Sequence, residues 1–280
     1  GGDPKAHRGP VAGMLELTDG LVSWGGDGAI RLWSLDGQPR PGGDPKAHEF
    51  SIEGMLELTD GLVSWSVDGG IRFWSLDGQP RPGGDPRAHF DAIPGMLALS
   101  DGLASWGADG AIRFWSLDGQ SRPGGGRGVH TAVTGMLTLS NELVSWGDDG
   151  AIRFWSLAGE PRSGGDLKAH KDRVTGVLAL ADGLVSWGWD GAIRLWDRNG
   201  ELRRGGHVEA HAGGVRWVGV AGGGLVSLGF DGIVRRWSYD GNPLGDCWIA
   251  PTTVEGAELI DGNVWVNVLG RPHRLCIDDQ

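Results

Sequence analysis

Serine, histidine and aspartate, the residue types of a hydrolytic triad, recur in this 280-residue chain at nearly constant spacing. Each set is a histidine, a serine 15 or 16 residues later, an aspartate 4 residues after the serine, and a tryptophan 6 residues after the aspartate. The sets are His7, Ser23, Asp27 and Trp33; His48, Ser64, Asp68 and Trp74; His89, Ser105, Asp109 and Trp115; His130, Ser145, Asp149 and Trp155; His170, Ser186, Asp190 and Trp196; and His211, Ser227, Asp231 and Trp237. A triad needs one activated serine with its own oxyanion hole. Because the set is repeated with a tryptophan each time, we predict a structural network, no catalytic residue and no enzyme.

The elements that position these residues are indicated by the repeat itself. Successive histidines are 40 or 41 residues apart, a period typical of propeller blades or helical arrays. Ile30 and Leu32 alternate with Arg31 and Trp33, a period of two, and Gly or Asp-Gly breaks recur at short intervals. The pattern excludes helices and predicts strands.

The first repeat divides into four short strands joined by Asp-Gly turns, the signal of tight hairpins. The predicted strands are 11–17, 21–25, 29–34 and a weaker one at 38–45. The fourth contains three prolines, which cannot donate ladder hydrogen bonds and belong on an outer edge. Each repeat is therefore predicted to be an antiparallel meander that must stack on its neighbours to bury both faces.

The meander brings the polar set together, because the connection into the first strand and the turn between the second and third lie at the same end of the sheet. Trp33 offers one N–H donor, Ser23 can accept it and donate onward, and His7 can accept from Ser23 and donate to Asp27. Such a chain satisfies each buried polar group. The arginines at 31, 72, 113, 153, 194, 235 and 274 occupy one further repeated position, interpreted as solvated or ion-paired.

The repeat resembles that of the WD40 β-propeller family over essentially the whole chain: a histidine, then Leu-Val-Ser, Asp-Gly and Ile-Arg-Leu-Trp. Only Trp196-Asp197 matches the family's literal Trp-Asp pair, since most repeats read Trp-Ser. The resemblance implies an all-β fold, a seven-bladed propeller of four-stranded antiparallel blades forming one domain over residues 1–280, and the same polar network. The close similarity of the repeats is typical of bacterial members with recently amplified blades.

A seventh, degenerate blade is predicted from residues 247–280 together with residues 1–6. Asp261-Gly262 supplies a turn, and His273 to Cys276 align with Ile30 to Trp33. Residues 1–6 match residues 42–47 of the outer strand, so the N-terminal strand is expected to complete the last blade and close the ring, as the resemblance also implies.

The amino-acid composition of the chain limits the classes of partner that it can bind. The net charge of -11, with no basic cluster, argues against nucleic acid and anionic membranes. There is no apolar run of membrane-spanning length and no signal peptide, so we expect a cytoplasmic protein. No cofactor or metal is predicted, because His207 and His211 have the wrong spacing for a metal in extended chain. Cys247 and Cys276 are expected to be free thiols, with a disulfide as the alternative. Because the chain starts midway through a repeat, we expect it to be part of a longer protein. We expect the isolated domain to be monomeric.

Function is expected where near-identical repeats differ. The residue before the turn aspartate is glycine, valine, alanine, aspartate, tryptophan and phenylalanine in successive repeats, and the residues after the histidine also vary. These positions fall at one end of the propeller and carry aromatic and basic residues that the framework does not require. The predicted partner-binding residues are Phe50, Val67, Phe90, Asp148, Lys171, Arg173, Trp189, Trp217 and Phe230, where Trp217 marks the deviant sixth repeat.

The leading hypothesis is thus a non-catalytic interaction or sensor scaffold that binds a protein or peptide on this end. The alternative is a propeller that binds glycans or small ligands through the second repeated tryptophan, at positions 24, 65, 106, 146 and 187. That tryptophan alternates with the network serine and so faces the neighbouring blade, which favours a wedge between blades over a ligand ring. For each single variable residue, neutral loop drift is the competing interpretation.

Overall fold

The structure, a computed structural model, describes residues 6–162, 167–249, 254–260, 263–268 and 271–275. Within these ranges the chain contains strands and turns but no helix. The residues group into two compact units. Unit 1 comprises Gly1–Met136, Asn141–Leu143 and Trp155–Pro161, and unit 2 comprises Leu137–Ser140, Val144–Phe154 and Arg162–Gln280.

The described strands form antiparallel sheets of three or four strands, each in chain order, numbered here as sheets 1 to 7. Sheet 1 is β1 (Val11–Leu17), β2 (Gly20–Gly25) and β3 (Ile30–Trp33). Sheet 2 is β4 (Ile52–Leu58), β5 (Gly61–Ser66), β6 (Ile71–Trp74) and β7 (Pro80–Asp85). Sheet 3 is β8 (Gly95–Leu99), β9 (Gly102–Trp106), β10 (Ile112–Trp115) and β11 (Ser121–Gly126), and these first three sheets lie in unit 1.

The later sheets follow the same order. Sheet 4, whose residues are divided between the two units, is β12 (Val133–Leu139), β13 (Glu142–Gly147), β14 (Ala151–Ser156) and β15 (Leu167–Lys168). Sheet 5 is β16 (Val174–Leu180), β17 (Gly183–Gly188), β18 (Ala192–Asp197) and β19 (Leu202–Glu209). Sheet 6 is β20 (Val215–Ala221), β21 (Gly224–Gly229), β22 (Ile233–Trp237) and β23 (Pro243–Ile249). Sheet 7 is β24 (Val254–Ile260), β25 (Asn263–Val268) and β26 (Arg271–Leu275).

The prediction of an all-β chain of repeated antiparallel meanders is confirmed. In sheet 1 the first strand matches its predicted bounds, the second begins one residue earlier than predicted, and the third is one residue shorter at each end. The predicted fourth strand at 38–45 is reduced there to two isolated bridges, Ile30 with Asp44 and Trp33 with Pro39. Prolines without an N–H and two glycines at positive φ leave this segment few ladder hydrogen bonds, so it is the weakest strand of the repeat.

The Asp-Gly turns pack tightly against the loops that carry the histidines. Gly28 adopts a φ of 68°, which favours glycine, and its N–H donates to the Gly25 carbonyl at 3.1 Å. A side chain at this position would collide with the carbonyl oxygen of His48, whose own N–H donates to the Gly28 carbonyl at 2.9 Å. The turn therefore requires glycine for both conformation and space.

Apolar clusters join neighbouring sheets within each unit. In unit 1, Trp24 and Ile30 of sheet 1 pack in one cluster with Ile52, Met55 and Trp74 of sheet 2. In unit 2 a matching cluster joins sheets 5 and 6 through Trp187, Ile193, Val215, Val218 and Trp237. In both pairs one sheet thus buries its face against the next, as stacking of blades requires.

A glycine on the first strand of a sheet makes room for a tryptophan on the second. Gly13 is the register partner of Trp24, and Gly54 that of Trp65. In both pairs a side chain on the glycine would overlap the indole ring. In sheet 6 the tryptophan is on the first strand and a smaller residue is on the second, because Trp217 on β20 faces Leu228 on β21. The half-buried Trp217 is therefore the aromatic member of this pair rather than a residue of the turns.

The last sheet corrects the alignment of the degenerate repeat by one residue. Gly256 pairs with Asn267 as Gly13 pairs with Trp24, and counting onward places His273, not Arg274, at the Arg31 position. The arginine predicted for all repeats is therefore absent from this position in sheet 7. The N-terminal strand predicted to close the ring comprises residues 1–6, and residues 1–5 lie outside the described residues. Cys276 and the Cys247 side chain also lie outside them.

Sheet 1 differs from sheets 2 to 6 in the exposure of its first strand. Val11 is 52% and Met14 is 57% exposed, whereas the matching Ile52 and Met55 of sheet 2 are 0% and 5% exposed. The residue types are nearly the same in both sheets. The difference therefore lies in what covers the face and not in the sequence of the strand.

Candidate functional site

The structure brings the repeated polar side chains within hydrogen-bonding distance. Trp33 Nε1 donates to Ser23 Oγ at 2.8 Å, His7 Nε2 lies 2.8 Å from the same oxygen, and His7 Nδ1 lies 2.8 Å from Asp27 Oδ1. The corresponding distances are between 2.7 and 3.2 Å in four further sets, those of His48, His89, His170 and His211. In the remaining set His130 and Ser145 are buried, and Asp149 accepts from the Ala151 N–H at 3.2 Å.

The repeated arginine, which is interpreted from the sequence only as solvated or ion-paired, belongs to the same network. Arg31 Nη1 donates to Asp27 Oδ2 at 3.1 Å and lies 2.7 Å from His7 Nδ1. The matching arginine–aspartate distances in the other five sets are between 2.8 and 3.1 Å. The four-residue separation from the turn aspartate is the only sequence signal for this contact.

We assign the histidine proton to Nδ1 from the hydrogen-bond network. With this tautomer Ser23 donates to His7 Nε2, His7 donates to Asp27, and Trp33 donates to Ser23, so each donor has an acceptor. The opposite tautomer would let His7 Nδ1 accept from Arg31 Nη1, but it would leave the serine hydroxyl without an acceptor in the set and oppose two lone pairs between His7 and Asp27. Asp27 also accepts from the Arg8 backbone N–H at 2.9 Å. The aspartate therefore ties the histidine loop to the turn between β2 and β3.

Burial and hydrogen bonding set the charges of the network. Burial raises the pKa of Asp27, but hydrogen bonds from His7 and the Arg8 backbone outweigh it and hold the pKa below its ordinary value. Burial, reinforced by the nearby positive charge of Arg72, lowers the pKa of His48 to about 4. The pKa of Asp68, raised by burial, is lowered overall by His48 and by backbone hydrogen bonds, so the His48 set holds an ionised aspartate beside a neutral histidine at neutral pH.

These shifts predict that acidification destabilises the fold. The folded pKa of His48 lies below the ordinary 6.5, so the unfolded chain binds the proton more tightly and stability is lost as the pH falls from 6.5 towards 4. At about 1.4 kcal/mol per pKa unit, His48 alone contributes about 3 kcal/mol to this loss. Urea unfolding between pH 7.5 and pH 4 measures it. The His48→Gln variant should show a shallower pH dependence, and an unchanged slope would contradict the assignment.

The network serines are poorly placed for nucleophilic chemistry. Ser23 is buried, and its hydroxyl is held between the Trp33 indole and the His7 imidazole at 2.8 Å on each side. A triad serine needs an exposed Oγ beside an oxyanion hole where a substrate carbonyl can dock. This geometry fixes the histidine loop to the sheet.

The second repeated tryptophan is also buried. Trp24, Trp65 and Trp187 are 7 to 8% exposed, each packed over the backbone of the glycine facing it and within the core cluster of the next sheet. A sugar-binding tryptophan must offer an open ring face, and these rings offer none. The glycan-binding alternative therefore gains no support from their placement.

A different set of aromatic residues is exposed in unit 2. Trp189 is 51% and Phe230 is 45% exposed, their ring centroids are 6.3 Å apart, and the ring planes meet at 76°. Arg173 Cζ lies 5.9 Å from the Trp189 centroid, and Arg216 Cζ lies 4.7 Å from the Phe230 centroid. Arg173 also forms an ion pair with Asp148 at 3.1 Å. We call Arg173, Trp189, Arg216 and Phe230 the aromatic–arginine cluster.

In unit 1 the predicted partner-binding residues are exposed but more scattered. Phe50, Val67 and Phe90 are each exposed, and Arg127 Cζ lies 4.8 Å from the Phe90 centroid. A cavity of about 890 Å³ at the same end has mixed charge and is lined by Arg8, Asp27, Arg31, Asp44, Pro45, Lys46, His48, Glu49 and Arg72. None of the three predicted apolar residues lines it. In unit 2, Lys171 is exposed beside the aromatic–arginine cluster in sequence.

Within the described ranges, no group of three or more His, Cys, Asp or Glu side chains could hold a metal ion. The side chain of His207 lies outside those described. No helix in the described part of the chain is long and apolar enough to cross a membrane.

Comparison with known proteins identifies the fold. No protein-family model and no curated protein matches the chain. Among solved structures, the chain is similar to the WD40 β-propeller domain of Doa1, with 18% identity and a TM-score of 0.60 over 96% of this chain and 93% of that one. It is also similar to the computationally designed Ika8 protein, with 21% identity and a TM-score of 0.58 over 96% of each chain. The predicted resemblance to WD40 propellers is thus confirmed as a likeness of fold.

Proposed function

We propose that this chain is a non-catalytic interaction module that binds a protein or peptide at the end of its sheets bearing the histidines and turn aspartates. The observation that carries this proposal is the exposed pair Trp189 and Phe230. Both residues directly precede a network aspartate, where the other repeats have glycine, valine, alanine or aspartate. The framework requires no aromatic residue there, since the polar network forms equally in the repeats that lack one.

The pair has the properties of a binding hot spot. The Trp189 N–H donates to the Arg173 carbonyl and the Phe230 N–H donates to the Gly214 carbonyl, both at 3.0 Å, so the backbone beneath each ring is held in place. Rigid aromatic side chains and arginine are the residue types that contribute most to protein interfaces. The backbone beneath the rings therefore has little conformational entropy left to lose on binding.

The proposal predicts that removing both rings abolishes binding. Peptides are selected from a random displayed library on the immobilised wild-type chain, and their affinities are then measured for the Trp189→Ala/Phe230→Ala variant. We expect a loss of at least about thirtyfold, the effect of one hot spot of about 2 kcal/mol. The variant should keep its melting temperature, because the removed rings are half exposed.

The matched control is Tyr239→Ala. Tyr239 is an exposed aromatic residue of sheet 6, as Phe230 is. It lies in the turn between β22 and β23, at the end of strand β22 opposite to Phe230. Its removal should leave the affinities unchanged. Equal affinity of the double variant and the wild type, or failure to select any peptide, would contradict the proposed function.

We also propose that the fold closes as a ring of seven blades, with the last sheet and the N-terminal strand covering the first sheet. Support comes from the exposed apolar face of sheet 1, whose counterparts in the described sheets 2 to 6 are buried under a neighbour. Leaving a valine and a methionine in water forgoes about 1.5–3 kcal/mol for each side chain. A cover on this face would recover that free energy.

Ring closure predicts that Met14 behaves as a buried residue. We expect Met14→Lys to lower the free energy of unfolding by about 2–5 kcal/mol, as a large apolar side chain lost from a core does. The matched substitution Met55→Lys, at the same position of sheet 2, supplies the reference value. Denaturant unfolding of both variants measures the difference. A loss below about 0.5 kcal/mol for Met14→Lys, typical of surface sites, would contradict closure.

A further inference from the structure

The charges around the aromatic–arginine cluster define which side chains it can accept. Each ring already has a guanidinium group over it, from Arg173 for Trp189 and from Arg216 for Phe230. A guanidinium group on a ring face uses the negative potential of that face. A cationic ligand, such as a lysine or a methylated ammonium group, would therefore meet positive charge where an open aromatic cage would offer negative charge.

An anionic ligand meets the opposite situation. Lys171 adds a third cation beside Arg173. The acidic residues around the cluster are Asp148, paired with Arg173, then Asp172, and the network aspartates Asp190 and Asp231, which are paired with Arg194 and Arg235. The cluster is thus slightly positive on a chain whose net charge is -11. An arginine carries five N–H donors, so a guanidinium group that stacks on a ring and already pairs with one group can still donate to a further carboxylate.

The shape of the cluster adds an apolar requirement. The rings of Trp189 and Phe230 meet edge to face, and about half of each side chain remains exposed. Gly214 lies close beneath them, because a side chain there would come within 3.1 Å of the Phe230 ring and 3.2 Å of Trp189 Cα. The backbone support under the rings leaves the solvent side as the surface on which a flat or bulky apolar side chain can pack.

We propose that the aromatic–arginine cluster selects peptide segments in which an aromatic or bulky apolar side chain is flanked by aspartate or glutamate. This inference rests on the proposed function, since it names the partner chemistry of the same surface. The apolar side chain packs on Trp189 and Phe230, and the flanking carboxylates bind Arg173 and Arg216. Basic segments are rejected by the same two guanidinium groups.

The test uses the full chain and three pools of fluorescently labelled peptides. Each pool has a fixed central phenylalanine, flanked by random positions restricted to Asp and Glu, to Lys and Arg, or to Ser and Gly. Binding is followed by fluorescence anisotropy at low and high salt. We expect the acidic pool to bind at least about tenfold more tightly than the basic pool, with the preference reduced at high salt.

The variant Arg173→Glu/Arg216→Glu should lose at least about tenfold in affinity for the acidic pool. Lys46→Glu/Arg87→Glu changes the net charge equally at exposed positions of unit 1, and it should leave the affinity unchanged. Thermal melting of both variants confirms that they fold.

The outcomes separate this inference from the proposed function. Stronger binding of the basic pool, equal binding of all pools, or an equal loss in both charge variants would overturn the acidic preference. If library-selected peptides still depend on Trp189 and Phe230 in those cases, the proposed function stands without it. If neither the pools nor the library yields a binder, both are overturned.

Discussion

Replacing Trp74 with alanine is expected to lower the free energy of unfolding by about 3–5 kcal/mol. Trp74 is 2% exposed and packs in the apolar cluster between sheets 1 and 2, so its loss leaves a large cavity. The substitution also removes the indole N–H that donates to Ser64 Oγ at 2.9 Å. Typical domains have only about 5–15 kcal/mol of stability, so this single change should remove a large share of it.

Chemical denaturation monitored by circular dichroism measures this loss. The matched control is Trp189→Ala, which removes the same side chain from a half-exposed turn position and should cost less than about 1 kcal/mol. The contrast distinguishes packing from a general effect of losing a tryptophan. Similar losses for the two variants would show that the repeated tryptophan is not the core residue that the hydrogen-bond network implies.

A second large effect is expected from the glycine that faces the other repeated tryptophan. Gly54→Trp places two indole rings in a space that holds one, because even a Cβ atom at Gly54 would overlap the Trp65 ring. Overpacking of this kind costs about 1–3 kcal/mol, and more where the backbone cannot move. Trp65→Leu alone should cost about 2 kcal/mol by leaving a cavity.

The double variant Gly54→Trp/Trp65→Leu copies the Trp217 and Leu228 pair of sheet 6 into sheet 2. We expect it to recover to within about 1.5 kcal/mol of the wild type, as substitutions that conserve core volume do. A double-mutant cycle from urea unfolding should then give a coupling of about 2–3 kcal/mol. Additive losses would mean that the two arrangements are not equivalent in packing.

The repeating parts of the fold could be predicted because local signals agree there. Alternating apolar residues and Asp-Gly turns place the strands of sheet 1 to within one residue. The segment at 38–45 could not be assigned as reliably, since proline and glycine remove the ladder hydrogen bonds that would define it. The last repeat was aligned one residue out because Arg274 is of the same residue type as Arg31. Its register is set by the pairing of Gly256 with Asn267, and asparagine at that position does not resemble the tryptophan of the other repeats.

The site was partly predictable for a similar reason. The polar sets repeat with constant spacing, so their contacts follow once the strands are paired. The aromatic–arginine cluster depends on contacts across separate segments, such as Arg216 on β20 with Phe230 in a later turn, and no periodicity marks them. The exposure of Met14 could not be foreseen either, because its strand reads almost the same as that of Met55.

The facing glycine and tryptophan also constrain how such a sheet can change over time. Starting from a pair such as Gly54 and Trp65, a first step that enlarges the glycine produces a clash, whereas a first step that shrinks the tryptophan leaves only an empty space. An enlarged glycine forces the facing indole ring or its backbone to move, whereas a smaller residue in place of the tryptophan leaves the surrounding backbone where it is. The arrangement seen at Trp217 and Leu228 is therefore reached most readily by losing the old ring before gaining the new one, which gives the exchange a preferred historical order.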